Sequence, residues 1–219
     1  MPAAFKKAIM VLCVVGLSAC VSEEQKKKAD GYYQEGVAVV SKDEQSAFVS
    51  FQKSLQTNPK HRDSHYYVAY IYAKQKKLAA AEEEIREVLS IDPDYPEAYT
   101  FLGQILEAQG KWDEAIKAYR KAVEFPLYAT PDVAYYNLGL ALEHEADMTG
   151  AIQAFENALR VSPPNVPKAM IELEIGRANF KLGEDGKARE ALARAIALNQ
   201  DKNAALTVEA KQLMERLKR

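Results

Sequence analysis

Four times along the chain a small residue is followed, twelve positions later, by an alanine: Ala69 and Ala81, Gly103 and Ala115, Gly139 and Ala151, Gly176 and Ala188. Successive small residues stand 34, 36 and 37 positions apart. Apolar residues follow each alanine at helical spacing, as in Ile85 and Val88, Tyr119 and Ala122, Phe155 and Ala158, and Leu192 and Ala195. A period of this length has room for two short helices but not for a core of its own. Each unit must therefore stack on the next, and the stack shares one continuous core. The small residue in the first helix and the alanine in the second let the two axes approach closely. The larger Tyr119, Phe155 and Leu192 are expected to fill the gap between adjacent units.

This pattern resembles the tetratricopeptide repeat, a helix–turn–helix unit of about 34 residues. The copy at residues 96–129 carries Leu102-Gly103, Gly110, Trp112, Ala115, Tyr119 and Ala122 at the family's positions. A weaker copy lies upstream, where Gly36, Ala47, Phe51 and Pro59 fit if the turn is one residue shorter. The resemblance spans residues 29–202 and implies an all-α, right-handed solenoid of about five helix–turn–helix units. Residues 203–219 follow as a C-terminal capping helix, with Leu206, Ala210, Leu213 and Leu217 at helical spacing.

The chain opens MPAAFKKAIMVLCVVGLSAC. Lys6 and Lys7 precede an apolar run that is short for a membrane span, which is the layout of a secretory signal over residues 1–19. Leu17-Ser18-Ala19-Cys20 looks like a bacterial lipobox, which implies cleavage before Cys20 and acylation of that residue. The only other cysteine, Cys13, lies in the segment removed, so Cys20 has no partner for a disulfide. Residues 20–28 read as an acylated tether. Val21 stands where an aspartate would mark inner-membrane retention in the enterobacterial rule, so the expected address is the periplasmic face of the outer membrane.

Of the 29 basic residues, Lys6 and Lys7 go with the signal, leaving 27 against 31 acids, a net charge of -4. That balance excludes a nucleic-acid partner, which needs a basic face. His61 and His65 are four apart with Asp63 between them, but no cysteine or third ligand accompanies them, so no metal is expected. No nucleophile elbow or phosphate-cradling glycine loop is present. The chain reads as a binding protein without cofactor, not an enzyme.

In solenoids of this kind the first helices line the concave side. By register the inward positions are Tyr33, Val37 and Val40, then Tyr66 and Tyr70, Thr100 and Gln104, Tyr136 and Leu140, and finally Leu173. Aromatic and aliphatic residues dominate, which suits a peptide with apolar anchors. The lysine and asparagine clamp of chaperone-binding repeats is not matched, since Asn137 alone does not make one.

At residues 125–131, FPLYATP, the joint between units is two residues longer than usual. Pro126 is expected to end one helix and Pro131 to precede the next, with Leu127 and Tyr128 presented on a stiff loop or plugging the gap between units. Pro126, Leu127, Tyr128, Pro131, Ala134, Tyr135, Asn137 and Gly139 resemble the pilotin lipoproteins of type IV pilus systems (the PilF and PilW family). That resemblance implies an outer-membrane lipoprotein of tandem repeats that helps a secretin to localise or multimerise. It favours the first two repeats as the docking surface for an apolar segment. Other lipoproteins built from such repeats serve as adaptors for peptidoglycan hydrolases or as parts of envelope assembly machines, and both remain alternatives.

Overall fold

A computed structural model describes residues 21–199 and 203–217. The expected signal peptide and Cys20 lie outside these residues. Among the described residues the chain forms eleven α-helices and no strand. They are α1 (Glu23–Val39), α2 (Glu44–Thr57), α3 (Arg62–Lys74), α4 (Leu78–Ile91), α5 (Pro96–Ala108), α6 (Trp112–Ala122), α7 (Pro131–His144), α8 (Met148–Arg160), α9 (Lys168–Lys181), α10 (Asp185–Leu198) and α11 (Ala204–Arg216). The first ten pair in order as five hairpins, and each second helix packs on the first helix of the next hairpin. This is the expected all-α repeat solenoid. The final helix, α11, packs on α9 and α10. Leu206, Ala210 and Leu217 share a buried cluster there with Ala169, Leu173 and Leu192.

The small residues do what their spacing demands, with a sharper pairing. A Cβ added to Gly103 would stand 2.4 Å from the Tyr119 ring, and one on Gly139 would stand 2.4 Å from the Phe155 ring. Gly36 faces Phe51, and Gly176 faces Leu192, in the same way. Tyr119, Phe155 and Leu192 therefore occupy the space above the glycine of their own hairpin rather than only the gap between hairpins. In the second hairpin Ala69 takes the glycine's place and Ile85 the aromatic's, so a larger residue on one helix accompanies a shorter one on the other.

Four hairpin turns share one backbone device. Lys76, Gly110, Ala146 and Gly183 have φ of 60°, 76°, 62° and 74°. The N–H of each bonds back to a carbonyl three residues earlier, and the next N–H reaches five residues back, as in Gly110 to Glu107 (2.8 Å) and Lys111 to Leu106 (2.8 Å). The first hairpin lacks this left-handed residue; Lys42 and Asp43 both donate to the Val39 carbonyl instead. The turn itself, residues 40–43, is not shorter than the three-residue turns of the other hairpins; the Gly36–Ala47 spacing is short because α1 ends three residues after Gly36, where the other first helices run five past their small residue.

Two boundaries differ from expectation. The helix α1 starts at Glu23, so most of residues 20–28, expected as a tether, is helical and exposed. Ser22 caps it, accepting from the Gln25 N–H while the Gln25 side chain accepts from the Ser22 N–H. The long joint also begins before Pro126, because α6 stops at Ala122 with Val123 as its C-cap.

Candidate peptide-binding groove

Two of the expected aromatics, Tyr33 and Tyr66, lie in one continuous array of rings that runs through the first three hairpins, while Tyr70 has no ring contact with it. Tyr33 on α1 lies 5.9 Å from Tyr67 on α3, ring centre to ring centre, and Tyr67 stacks on Phe51 at 4.9 Å. Tyr66 continues the line to Tyr95 at 5.8 Å and to Phe101 on α5 at 5.4 Å. Arg62 lies over the Tyr95 ring at 4.6 Å. All six rings but Phe51 are half-buried. Burial pushes the phenols of Tyr33, Tyr66 and Tyr95 up, with neighbouring carboxylates adding to it, so they stay protonated and can donate. Tyr67, Tyr95 and Phe101 were not among the expected groove residues. The Tyr66-Tyr67 doublet was the available signal, because both of its rings join the array.

The other expected positions divide. Val37 and Val40 are half-buried against the first cluster, which holds Phe51, Val68 and Ile71. Tyr70 is 42% exposed, with the Lys74 ammonium 5.6 Å from its ring, and Gln104 is exposed. Tyr136 packs on Phe155 at 5.8 Å, and burial together with Glu174 pushes its phenol up to about 12. Leu140 is half-buried against the central core.

Two positions are corrected. Thr100 is only 6% exposed; its hydroxyl donates to the Pro96 carbonyl and shares a 2.7 Å hydrogen bond with the Tyr128 hydroxyl. Leu173 is buried in the cluster that α11 closes. Neither offers a free surface. The same Tyr128 bond splits the reading of the long joint. Tyr128 is buried and Phe125 stacks on Tyr99 at 5.9 Å, so both plug the gap, while Leu127 stands 95% exposed between them.

The two histidines are used structurally. His61 caps α3, its Nδ1 accepting from the Ser64 N–H at 3.1 Å while Nε2 faces Asp30 at 3.0 Å. His65 faces two acceptors, Glu84 at 2.6 Å and the Pro59 carbonyl at 2.9 Å. Burial opposes its charge, but these two partners outweigh burial and hold its pKa above the ordinary value. No group of three metal-ligating residues occurs among the described residues, and no described helix is long and apolar enough to cross a membrane.

Comparison with known proteins agrees with the architecture. A family model described as the tetratricopeptide repeat protein 21 C-terminal ARM domain matches residues 14–172, and a tetratricopeptide-repeat model matches residues 150–204. The type IV pilus assembly protein PilF of Pseudomonas aeruginosa is 25% identical over 179 residues, which cover 77% of this chain and 71% of that protein. The solved structure of Pseudomonas aeruginosa PilF superposes with a TM-score of 0.72 at 22% identity, over 89% of this chain and 90% of that one. That of PilW, described as a widely conserved type IV pilus biogenesis factor, gives 0.72 at 21% identity, over 87% and 90%. With one family model spanning most of its length and five stacked helical hairpins in its structure, the chain belongs to that repeat family and is a tetratricopeptide-repeat protein.

Proposed function

We propose that the chain is a scaffold for type IV pilus biogenesis. It is held by acylated Cys20 at the periplasmic face of the outer membrane, and it binds a secretin and supports its localisation or multimerisation. The observation that supports this most is the likeness to PilF, which runs over most of both chains in sequence and in fold. The aromatic array of the first three hairpins supplies the docking surface. Its rings are fixed by one another, so a partner segment meets a largely preformed site and little side-chain freedom is lost on binding. The site offers rings, hydroxyls and carboxylates for recognition, and the chain acts by binding rather than catalysis.

The test is a cross-linked pull-down from intact membranes of the native host, comparing wild type, Cys20→Ala and Tyr70→Asp. Tyr70 is the suitable groove position because it is exposed, whereas a charge at the packed Tyr66 would disturb the fold. The secretin should co-purify with the wild type and be depleted in both variants. Capture of wall hydrolases or a β-barrel assembly pore, with no secretin, would replace this reading with that of an envelope adaptor.

A further inference from the structure

The aromatic array carries an edge of charge that the fold does not use up. The same helical position in three successive hairpins is acidic, namely Asp30, Asp63 and Glu97; in the last two hairpins it is Val133 and Met170. Asp30 faces His61 at 3.0 Å, and Asp63 meets Arg62 at 2.8 Å. Arg62 is shared with Asp92 at 2.6 Å, and both line an open hollow of about 380 Å³ together with Asp63 and Lys60. Glu97 has no hydrogen-bond or ion-pair partner among the described residues, yet its charge reaches the phenols of Tyr66 and Tyr95. The Arg62 guanidinium therefore serves two carboxylates, Asp63 and Asp92, and the Glu97 charge is left beside the rings without a cation among the described residues.

The chain shows in miniature what this setting accepts. Arg62 lies over the Tyr95 ring while its nitrogens bond two carboxylates, a cation held by a ring face and by acids together. Tyr66 has the same surroundings without the cation, a ring beside Tyr95 and an unpaired Glu97. The hydroxyls of Tyr33, Tyr66, Tyr67 and Tyr95 bond to no other described residue and are not sealed from solvent, so they are free to meet a peptide backbone.

We infer that the array of the first three hairpins takes a cationic peptide, a partner segment in which a lysine or arginine sits beside an apolar anchor, with Glu97 as the residue that selects the charge. This rests on the groove reading above and names the chemistry of the segment that the groove prefers. Charge complementarity at a rim governs specificity and on-rate, so the preference is salt-sensitive.

Two fluorescein-labelled twelve-residue peptides test it, one alternating Leu with Lys and one alternating Leu with Glu, each titrated by anisotropy against the detergent-solubilised full chain. The lysine peptide should bind the wild type about tenfold more tightly than the glutamate peptide, with the gap shrinking as salt rises. Glu97→Gln should narrow that gap and Glu97→Lys should remove it, with far-UV circular dichroism confirming that both variants keep their helices. Equal binding of the two peptides, no binding of either, or a preference that survives Glu97→Lys would overturn the inference. Secretin capture separates this from the groove reading: loss in Tyr70→Asp with full retention in Glu97→Lys would keep the groove and discard the charge rule.

Discussion

The pairing of a short residue with a long one inside each hairpin makes a quantitative prediction. In Gly139→Ala the new Cβ would stand 2.4, 2.6 and 2.7 Å from three carbons of the Phe155 ring. Phe155 is fully buried and lies against Tyr136, so the ring has nowhere to swing. Alanine in place of a mid-helix glycine gains about 1 kcal/mol of helix propensity. Overpacking of a tight core costs about 1–3 kcal/mol. The overlap here is with stiff ring atoms, so the second effect wins, and the variant should lose about 1–2 kcal/mol net. Phe155→Ile alone leaves a void, losing part of the roughly 3–5 kcal/mol that complete truncation of a buried phenylalanine costs. The two changes together recreate the Ala69–Ile85 pair of the second hairpin, in which both residues are fully buried. The double variant should therefore be more stable than the sum of the singles by on the order of 1–2 kcal/mol. Urea unfolding followed by far-UV circular dichroism measures each corner of the cycle, and unchanged m-values keep the comparison valid. The fourth hairpin is the right place, because in the third the Tyr119 hydroxyl also bonds Glu107 and would confuse the count. Strict additivity of the two substitutions would refute the claim that this pair sets the spacing of the hairpin.

Three further outcomes follow from single residues. Ala146 sits at φ 62°, where a Cβ costs about 1–2 kcal/mol, so Ala146→Gly should stabilise by about 0.5–1 kcal/mol in denaturant midpoints after allowing for glycine's freedom in the unfolded chain; Gly110→Ala should do the reverse. His65 has its pKa raised by folding, so the stability it adds is fully present below its unfolded value near 6.5 and is lost as pH rises through the folded value; a pH series of melts should show His65→Gln differing most from wild type near pH 5–6. Asp132 is fully buried and accepts from the Asn165 and Val166 backbone N–H groups and the Asn165 side chain; burial alone would raise its pKa, but these donors hold it below the ordinary carboxylate value. Its contribution is present above the unfolded value near 3.9 and lost as pH falls through the folded one, and Asp132→Ala should cost about 2–4 kcal/mol at pH 7 by calorimetry.

The repeat was legible because glycine, alanine and aromatic residues are forced by close helix approach, and that constraint writes itself into spacing. Residues outside it left weaker marks. The stretch Glu23–Lys28 is charged on every side and shows no apolar period, yet it is helical because the Ser22–Gln25 capping box starts it and Ala29 and Gly36 anchor it. Register placed Thr100 and Leu173 on the groove, but register does not see what comes to lie on top. Tyr128, brought back by the long joint, covers Thr100, and α11 closes over the cluster that holds Leu173. Tyr95 entered the array from a turn, where helical periodicity has no purchase. Glu97 shares its helical position with Asp30 and Asp63, which is legible in the sequence, but that it lacks a partner among the described residues is a fact of three dimensions.

Under the proposed function, an anchored aromatic groove supports a secretin. The most direct measurement is the amount of secretin multimer in outer-membrane fractions from cells producing the wild type, Cys20→Ala or Tyr70→Asp at equal levels. Multimer should be abundant with the wild type and reduced or displaced from the outer membrane in both variants. Equal multimer in the same fraction for all three would contradict the proposed function.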